Sequence, residues 1–226
     1  MLEWLEGIMP NVVRLWSDLM ASSWATIYMV VVSGSIALFF GIIFGVTLVV
    51  TKKGGIIENK FVNVILGFTI NVFRSIPFVI LIVFLLPVTR IVMGTPLGIR
   101  GAIFPLIIGT IPFLSRQIES ALTQLEGGLI EAAVSMGASP LEIIVKVYLR
   151  ESLPTIILGT AITMISLISL TAMVGAIAGG GLGDFVLQYG RARNMTDITY
   201  VSIVIILLMV SVIQTSANLL VKKITH

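Results

Sequence analysis

The sequence predicts an all-α, polytopic membrane protein with five transmembrane helices. Of its 226 residues, 57% are hydrophobic and only 11% are charged, whereas a soluble domain carries about 25% charged residues. Apolar runs of the length that crosses a bilayer, about 20 residues, recur along the chain. Because so apolar a chain cannot hide its surface in water, lipid is its natural solvent.

The charged residues and the missing cysteines exclude other classes. The net charge is +3, but the basic residues lie beside apolar blocks, as expected of membrane flanks and not of a nucleic-acid surface. The chain has no cysteine, which excludes disulfides, thiolate metal sites and thiol nucleophiles. No metal-ligand cluster or catalytic grouping lies within an apolar run, so a membrane-embedded enzyme has little support.

The first 18 residues form a segment of their own. Glu3, Glu6 and Asp18 make it acidic, whereas a signal peptide begins with a basic region. Its apolar residues recur at helical spacing, and we expect an amphipathic helix at the membrane interface.

Five apolar runs follow, and we treat them as one transmembrane domain over residues 1–226. The second is preceded by Asn59–Val72, which we expect to be a helix at the membrane surface or entering the bundle. Residues 179–183 are a glycine-rich run, expected to be a flexible connection. The predicted spans are residues 22–50, 75–91, 99–118, 153–177 and 200–221.

The distribution of Lys and Arg predicts the orientation. With five spans, the connection between the first two spans, the polar loop and the C-terminus share one side. These segments hold 9 of the 14 Lys and Arg residues, and the other side holds 5. The positive-inside rule therefore places the polar loop and the C-terminus in the cytoplasm and the N-terminus outside.

The polar loop, residues 119–152, contains two predicted short helices. The first covers Leu129–Met136, and Gly137 stands where a left-handed residue ends a helix. Ser139 and Glu142 have the spacing of a capping box, with Pro140 at the first helical position. Ala132 and Ala133 leave one face without bulky side chains, and the second helix carries an apolar stripe from Leu141. Such an ordered loop is expected to dock on another protein.

The spacing of this loop resembles a known family. Glu131-Ala132-Ala133, followed by Gly137 and then by Val147 and Leu149, resembles the EAA loop of ABC-importer permeases. Arg150 stands where that pattern has proline. Further stretches resemble the methionine-importer permeases in particular: Phe73–Phe78, Met93–Thr95, Gly128–Ala138, Ala172–Gly175, Gly179–Gly183 and Gln188–Gly190.

The resemblance implies a type I ABC importer permease fold and a transport function. It implies a homodimer that carries methionine, in its L and D forms, across the bacterial cytoplasmic membrane. Two cytoplasmic ATPase subunits would bind ATP and magnesium, and an extracytoplasmic methionine-binding lipoprotein would deliver the cargo. The chain itself lacks a Gly-rich phosphate loop ending in Gly-Lys-Ser/Thr, so it would bind no cofactor. The ATPase would contact the loop at Glu131, Ala132, Ala133, Met136, Gly137, Ala138 and Leu141.

Residues in or beside the spans are candidates for the translocation path. Arg74 interrupts an apolar run, where it would either face the path or extend to the headgroups. Hydroxyls of the fourth span would line a pore or bond to their own backbone, and Met173 would gate the path or pack between helices. The candidates are Arg74, Ser75, Pro77, Ser169 and Met173.

Two alternatives remain open. The chain would also suit an ABC permease for another small amino acid or peptide, because methionine rests on similarity alone. A secondary transporter is less well supported, since such proteins carry intramembrane acidic residues or histidine and internal repeats.

Overall fold

The computed structural model of the chain describes residues 7–177 and 179–225, and within them every regular element is a helix. Four of these helices are long and apolar enough to cross a membrane, and a fifth crossing results if one bent pair counts as a single span. This confirms the all-α, polytopic fold. The first six residues of the expected interfacial segment lie outside the described part of the chain.

The helices are numbered here in chain order. They are α1 (Pro10–Arg14), α2 (Trp16–Thr51), α3 (Lys60–Ser75), α4 (Phe78–Met93), α5 (Gly98–Thr123), α6 (Gly127–Ser135), α7 (Pro140–Glu142), α8 (Leu153–Gly175), α9 (Gly181–Phe185) and α10 (Thr196–Ile224). Two π-helical segments, Ile143–Leu149 and Val186–Arg191, follow α7 and α9.

The described part of the chain contains two compact units. One is built from the chain up to Ser35, Pro77–Ile108 and Met164–Ile213; the other from Ile36–Ile76, Gly109–Thr163 and the chain from Gln214. We call them unit 1 and unit 2. Helices α2, α5, α8 and α10 contribute residues to both.

The break between α3 and α4 has a local cause. Ile76 precedes Pro77 and has extended backbone angles, φ −81° and ψ 122°, as proline disfavours a helical residue before it. Ser75, expected to begin the second span, is therefore the last residue of α3, and α4 begins at Phe78. At its other end, α3 is capped by Asn59, whose side chain accepts from the amide of Val62.

In unit 2, glycines bring α2 close to α5. A Cβ at Gly41 would lie 2.7 Å from Cβ of Leu114, and one at Gly45 would lie 2.8 Å from Cβ of Ile118. These two glycines are four residues apart and share a helix face. Close approach of helices through small residues is the usual packing mode of membrane spans.

In unit 1, the glycine-rich run from Gly181 onward belongs to helix α9 and not to an irregular connection. Helix α9 begins at Gly181, which has a φ of +79°. The amide of Leu182 donates to Oγ1 of Thr26 at 2.9 Å in a buried bond. A Cβ at Gly183 would lie 2.5 Å from Cα of Ala172, so this turn packs backbone to backbone on the end of α8.

Candidate functional site

The polar loop carries the candidate site, and Gly137 sets its geometry. Helix α6 ends at Ser135, and Gly137 has a φ of +78°. The amide of Ala138 donates to the carbonyl of Ala133 at 3.1 Å, which satisfies an acceptor at the helix end. The predicted left-handed glycine is confirmed.

The second short helix begins with the predicted capping box. The side chain of Ser139 accepts from the amide of Glu142 at 3.4 Å, and the amide of Ser139 donates to Oε2 of Glu142 at 3.1 Å. Pro140 occupies the first helical position. The two short helices are thus fixed by backbone geometry and caps, as expected.

The carboxylate of Glu142 is held in its charged form. Nζ of Lys146 donates to Oε1 at 2.9 Å, and the backbone and hydroxyl of Ser139 donate to Oε2. These bonds, that of Lys146 first, lower the pKa of Glu142 from 4.5 to about 2. The pair is exposed on the surface, so its contribution to stability is small.

The chain after Glu142 continues as a π-helix, which the sequence did not predict. The segment Ile143–Leu149 has the wider hydrogen-bonding pattern in which each turn takes an extra residue. Ile143 and Tyr148 are buried in the core of unit 2, together with Ile118 and Leu122. The candidate site is therefore anchored by this segment in the same core as α5.

The structure divides the predicted docking residues into an exposed and a buried set. Met136 is 80% exposed and Leu141 is 70% exposed, and Glu131 and Ala132 also lie at the surface. Ala133 instead packs into the core of unit 2. Its small side chain lets α6 approach that core and offers no free surface. Other exposed apolar residues of the loop are Leu129, Val134 and Val145.

A cleft of about 590 Å³ lies beside these helices. One wall comes from α6 and α7, with Glu131, Val134 and Pro140 among the lining residues, and another comes from the turn Gly54–Ile56. In that turn, the amide of Gly54 donates to Oε2 of Glu58 at 2.9 Å. The sequence indicates a Gly-Gly turn here, but nothing in it indicates that this turn faces the polar loop.

The candidates for the translocation path fall into separate places. In unit 2, Arg74 and Ser75 are exposed at the end of α3, and Ser75 donates to the carbonyl of Asn71. In unit 1, Pro77 caps α4, and Ser169 and Met173 share an exposed face of α8, one turn apart.

Comparisons with known proteins agree on one family. Residues 37–226 match the model described as "Binding-protein-dependent transport system inner membrane component". The chain is 45% identical over 221 residues to the "Probable D-methionine transport system permease protein MetI" of Vibrio cholerae, covering 96% of this chain and 98% of the relative. It is 45% identical over 173 residues to the "Methionine import system permease protein MetP" of Bacillus subtilis, covering 76% and 78%.

A solved structure agrees with these relatives. A chain of the "MetNI methionine ABC transporter", solved in inward-facing conformations, matches with a TM-score of 0.92 and 38% identity, covering 94% of this chain and 99% of that one. The family model matches well over half of the chain, and the alignment with the Vibrio cholerae relative covers nearly all of it. This chain belongs to the family of inner-membrane components of binding-protein-dependent transport systems.

Proposed function

We propose that this chain is the permease subunit of an ATP-driven importer that carries D- and L-methionine into the cytoplasm. The cargo is supported by similarity to permeases named for methionine transport and import and to a methionine ABC transporter. A homodimer would form the path, two cytoplasmic ATPase subunits would hold ATP and magnesium, and a methionine-binding lipoprotein would supply the cargo from outside. The N-terminus would lie outside and the C-terminus in the cytoplasm.

The observation that supports this proposal most is the exposed apolar surface of the polar loop. Met136 and Leu141 are each at least 70% exposed in a loop whose backbone is fixed by Gly137 and by the Ser139 capping box. Exposed apolar residues on a rigid support are typical of a protein-docking surface. We assign this surface to the ATPase subunit, since Glu131, Ala132, Gly137 and Ala138 adjoin it in the chain.

The same region offers a route for the work of ATP hydrolysis. Ile143 and Tyr148 are buried against α5 residues in the core of unit 2. Next in the chain, Oγ of Ser152 donates to the carbonyl of Ala121 at 3.3 Å, and α8 begins at Leu153. A displacement of α6 and α7 would therefore move α5 and α8 within this unit. Such rigid-body movements are a common basis of alternating access.

The experiment that tests the proposal is reconstituted transport. The chain is purified with its ATPase and placed in proteoliposomes with the binding protein, and ATP-dependent uptake of labelled methionine is measured for wild type, Met136→Asp and Leu141→Asp. We expect wild type to import and both variants to lose uptake and co-purification with the ATPase. The control is Ile224→Asp, which adds a charge at another exposed apolar residue.

Two outcomes would contradict the proposal. Uptake by wild type without the ATPase would indicate a secondary transporter. Full uptake by Met136→Asp and Leu141→Asp would show that this surface does not receive the ATPase.

A further inference from the structure

A line of polar groups along helix α3 contacts α2 and α5 within unit 2. Asn63 donates from Nδ2 to the carbonyl of Leu48 at 2.7 Å, and the carbonyl of Gly67 and Oδ1 of Asn71 both accept from Arg116. Arg74 continues the line, since it lies one turn beyond Asn71. Another face of α3 exposes large apolar side chains: Phe61, Val64, Ile65, Phe68 and Val72. That face suits lipid, so the polar line is directed away from the acyl chains.

The line ends in a cation without an anionic partner. Cζ of Arg74 lies 5.4 Å from the centroid of the Phe113 ring, and in the part of the chain that the structure describes Arg74 forms no ion pair. Arg116, one turn beyond Phe113, is paired with Glu119 at 2.6 Å. The cluster therefore has two guanidinium groups and one carboxylate. A cation that lies beside membrane spans without a counter-charge is a candidate contact for a charged substrate.

The exposed guanidinium of Arg74 and the exposed ring of Phe113 determine which ligands can bind here. Arg74 lies at the surface, and the ring of Phe113 is also open, with the residue 47% exposed. A guanidinium binds a carboxylate through two parallel hydrogen bonds. An aromatic ring makes favourable contacts with a thioether sulfur, often at its edge, which remains free when a cation lies over its face.

We propose that Arg74 and Phe113 form a transit site that binds methionine by its carboxylate and its thioether. This inference rests on the function proposed above and names the groups that contact the cargo. Asn71 and Arg116 are positioning residues, because their 2.8 Å bond holds α3 against α5 and brings Arg74 to Phe113.

Equilibrium binding is the first test. Labelled L-methionine is titrated into the permease–ATPase complex in nanodiscs, without the binding protein, with methionine methyl ester and norleucine as competitors. We expect Arg74→Gln to weaken methionine binding about 10- to 100-fold, the value of a charge-assisted hydrogen bond. The ester, which lacks the carboxylate, should compete only weakly with methionine for the wild-type complex. Arg74→Gln should weaken the binding of the ester little further.

The contribution of the Phe113 ring is tested by comparing methionine with norleucine, which lacks the sulfur. Phe113→Leu should weaken methionine about 2- to 10-fold and leave norleucine, which has a methylene in place of sulfur, nearly unchanged. Arg90→Gln and Phe84→Leu are the matched controls, because both residues are exposed on α4 and lie outside the proposed site. Both should bind methionine as wild type does.

The outcomes separate this inference from the proposed function. If wild type imports methionine but its nanodisc complex shows no binding, or if Arg74→Gln and Phe113→Leu bind and import as wild type does, the transit site is wrong and the importer stands. If the Arg74→Gln defect disappears in vesicles without anionic lipid, Arg74 binds a headgroup phosphate and the site is again wrong. If wild type does not import methionine, the proposed function itself fails.

Discussion

Nη2 of Arg116 donates to Oδ1 of Asn71 at 2.8 Å, and this bond joins α5 to α3. The same nitrogen donates to the carbonyl of Gly67 at 3.3 Å, and Nη1 pairs with Glu119. Nε of Arg116 is buried and has no acceptor among the described residues. Since the guanidinium already has one unsatisfied donor, the loss of a further acceptor should be costly.

Asn71→Ala should therefore destabilise the protein. We expect the free energy of unfolding to fall by about 0.5–1.5 kcal/mol, the usual net value of one hydrogen bond, because Asn71 is exposed and its bond to Arg116 lies at the surface. The measurement is thermal unfolding of the purified chain in detergent. Asn218→Ala is the control, since Asn218 is an exposed residue of α10. Equal melting of the two variants would show that the bond contributes nothing.

Gly137 tests whether the angle between α6 and α7 matters for transport. Its φ is +78°, and a Cβ placed on it would meet no atom within 4 Å. The cost of Gly137→Ala is thus one of backbone conformation, about 1–2 kcal/mol. We expect that variant to lose most ATP-driven uptake, and Gly137→Asn to retain more, because asparagine tolerates the left-handed region.

The control for Gly137 lies in the same loop. Gly128 is helical, has no positive φ, and is also in open space, so Gly128→Ala should stabilise α6 by roughly 0.5–1 kcal/mol and keep uptake. Full uptake by Gly137→Ala would mean that the angle is not required.

Local chemistry determines some features of the polar loop, and tertiary packing determines others. Gly137, Ser139 and Glu142 were predicted correctly because caps and left-handed residues depend on neighbours in the chain. The burial of Ala133 was not, because it depends on tertiary packing against the core of unit 2, and no local signal indicates the π-helix at Ile143–Leu149. The pairing of Arg74 with Phe113 belongs to the same class.

Glu142 allows a test of the capping box by pH. Its folded pKa, about 2, lies below the usual 4.5. A lowered carboxyl pKa stabilises the folded loop above the unfolded pKa, and this contribution is lost as the pH falls from 4.5 toward 2. We expect the carboxyl carbon of Glu142, followed by NMR on selectively labelled chain, to titrate well below pH 4.5.

The control variant is Lys146→Met, which should raise the midpoint of this titration, since Lys146 is the largest cause of the lowered pKa. A wild-type midpoint near 4.5 would contradict the bonds described here.

Asp197 joins the N-terminal helix to the last span in unit 1. Its carboxylate accepts from the amide and the side chain of Asn11, at 2.9 and 3.0 Å, and from the amide of Val12 at 3.3 Å. These amides belong to the first turn of α1, which has no partners for them within the helix. The carboxylate of Asp197 therefore caps α1, although Asp197 is 186 positions away from Asn11 in the chain. Val12 also packs beside Ile198 and Leu19 in a common apolar cluster.

Asp197→Ala should release α1 from this support. We expect trypsin to cleave after the exposed Arg14 several-fold faster than in wild type, because about 1–2 kcal/mol of capping is lost and local opening becomes more frequent. Cleavage after Arg90, which is exposed on α4, is the internal control and should not change. Asp197→Asn keeps one acceptor, and its rate of cleavage after Arg14 should lie between the rates of wild type and Asp197→Ala. If Asp197→Ala and wild type are cleaved after Arg14 at the same rate, the apolar cluster alone holds α1, and the carboxylate is dispensable for its position.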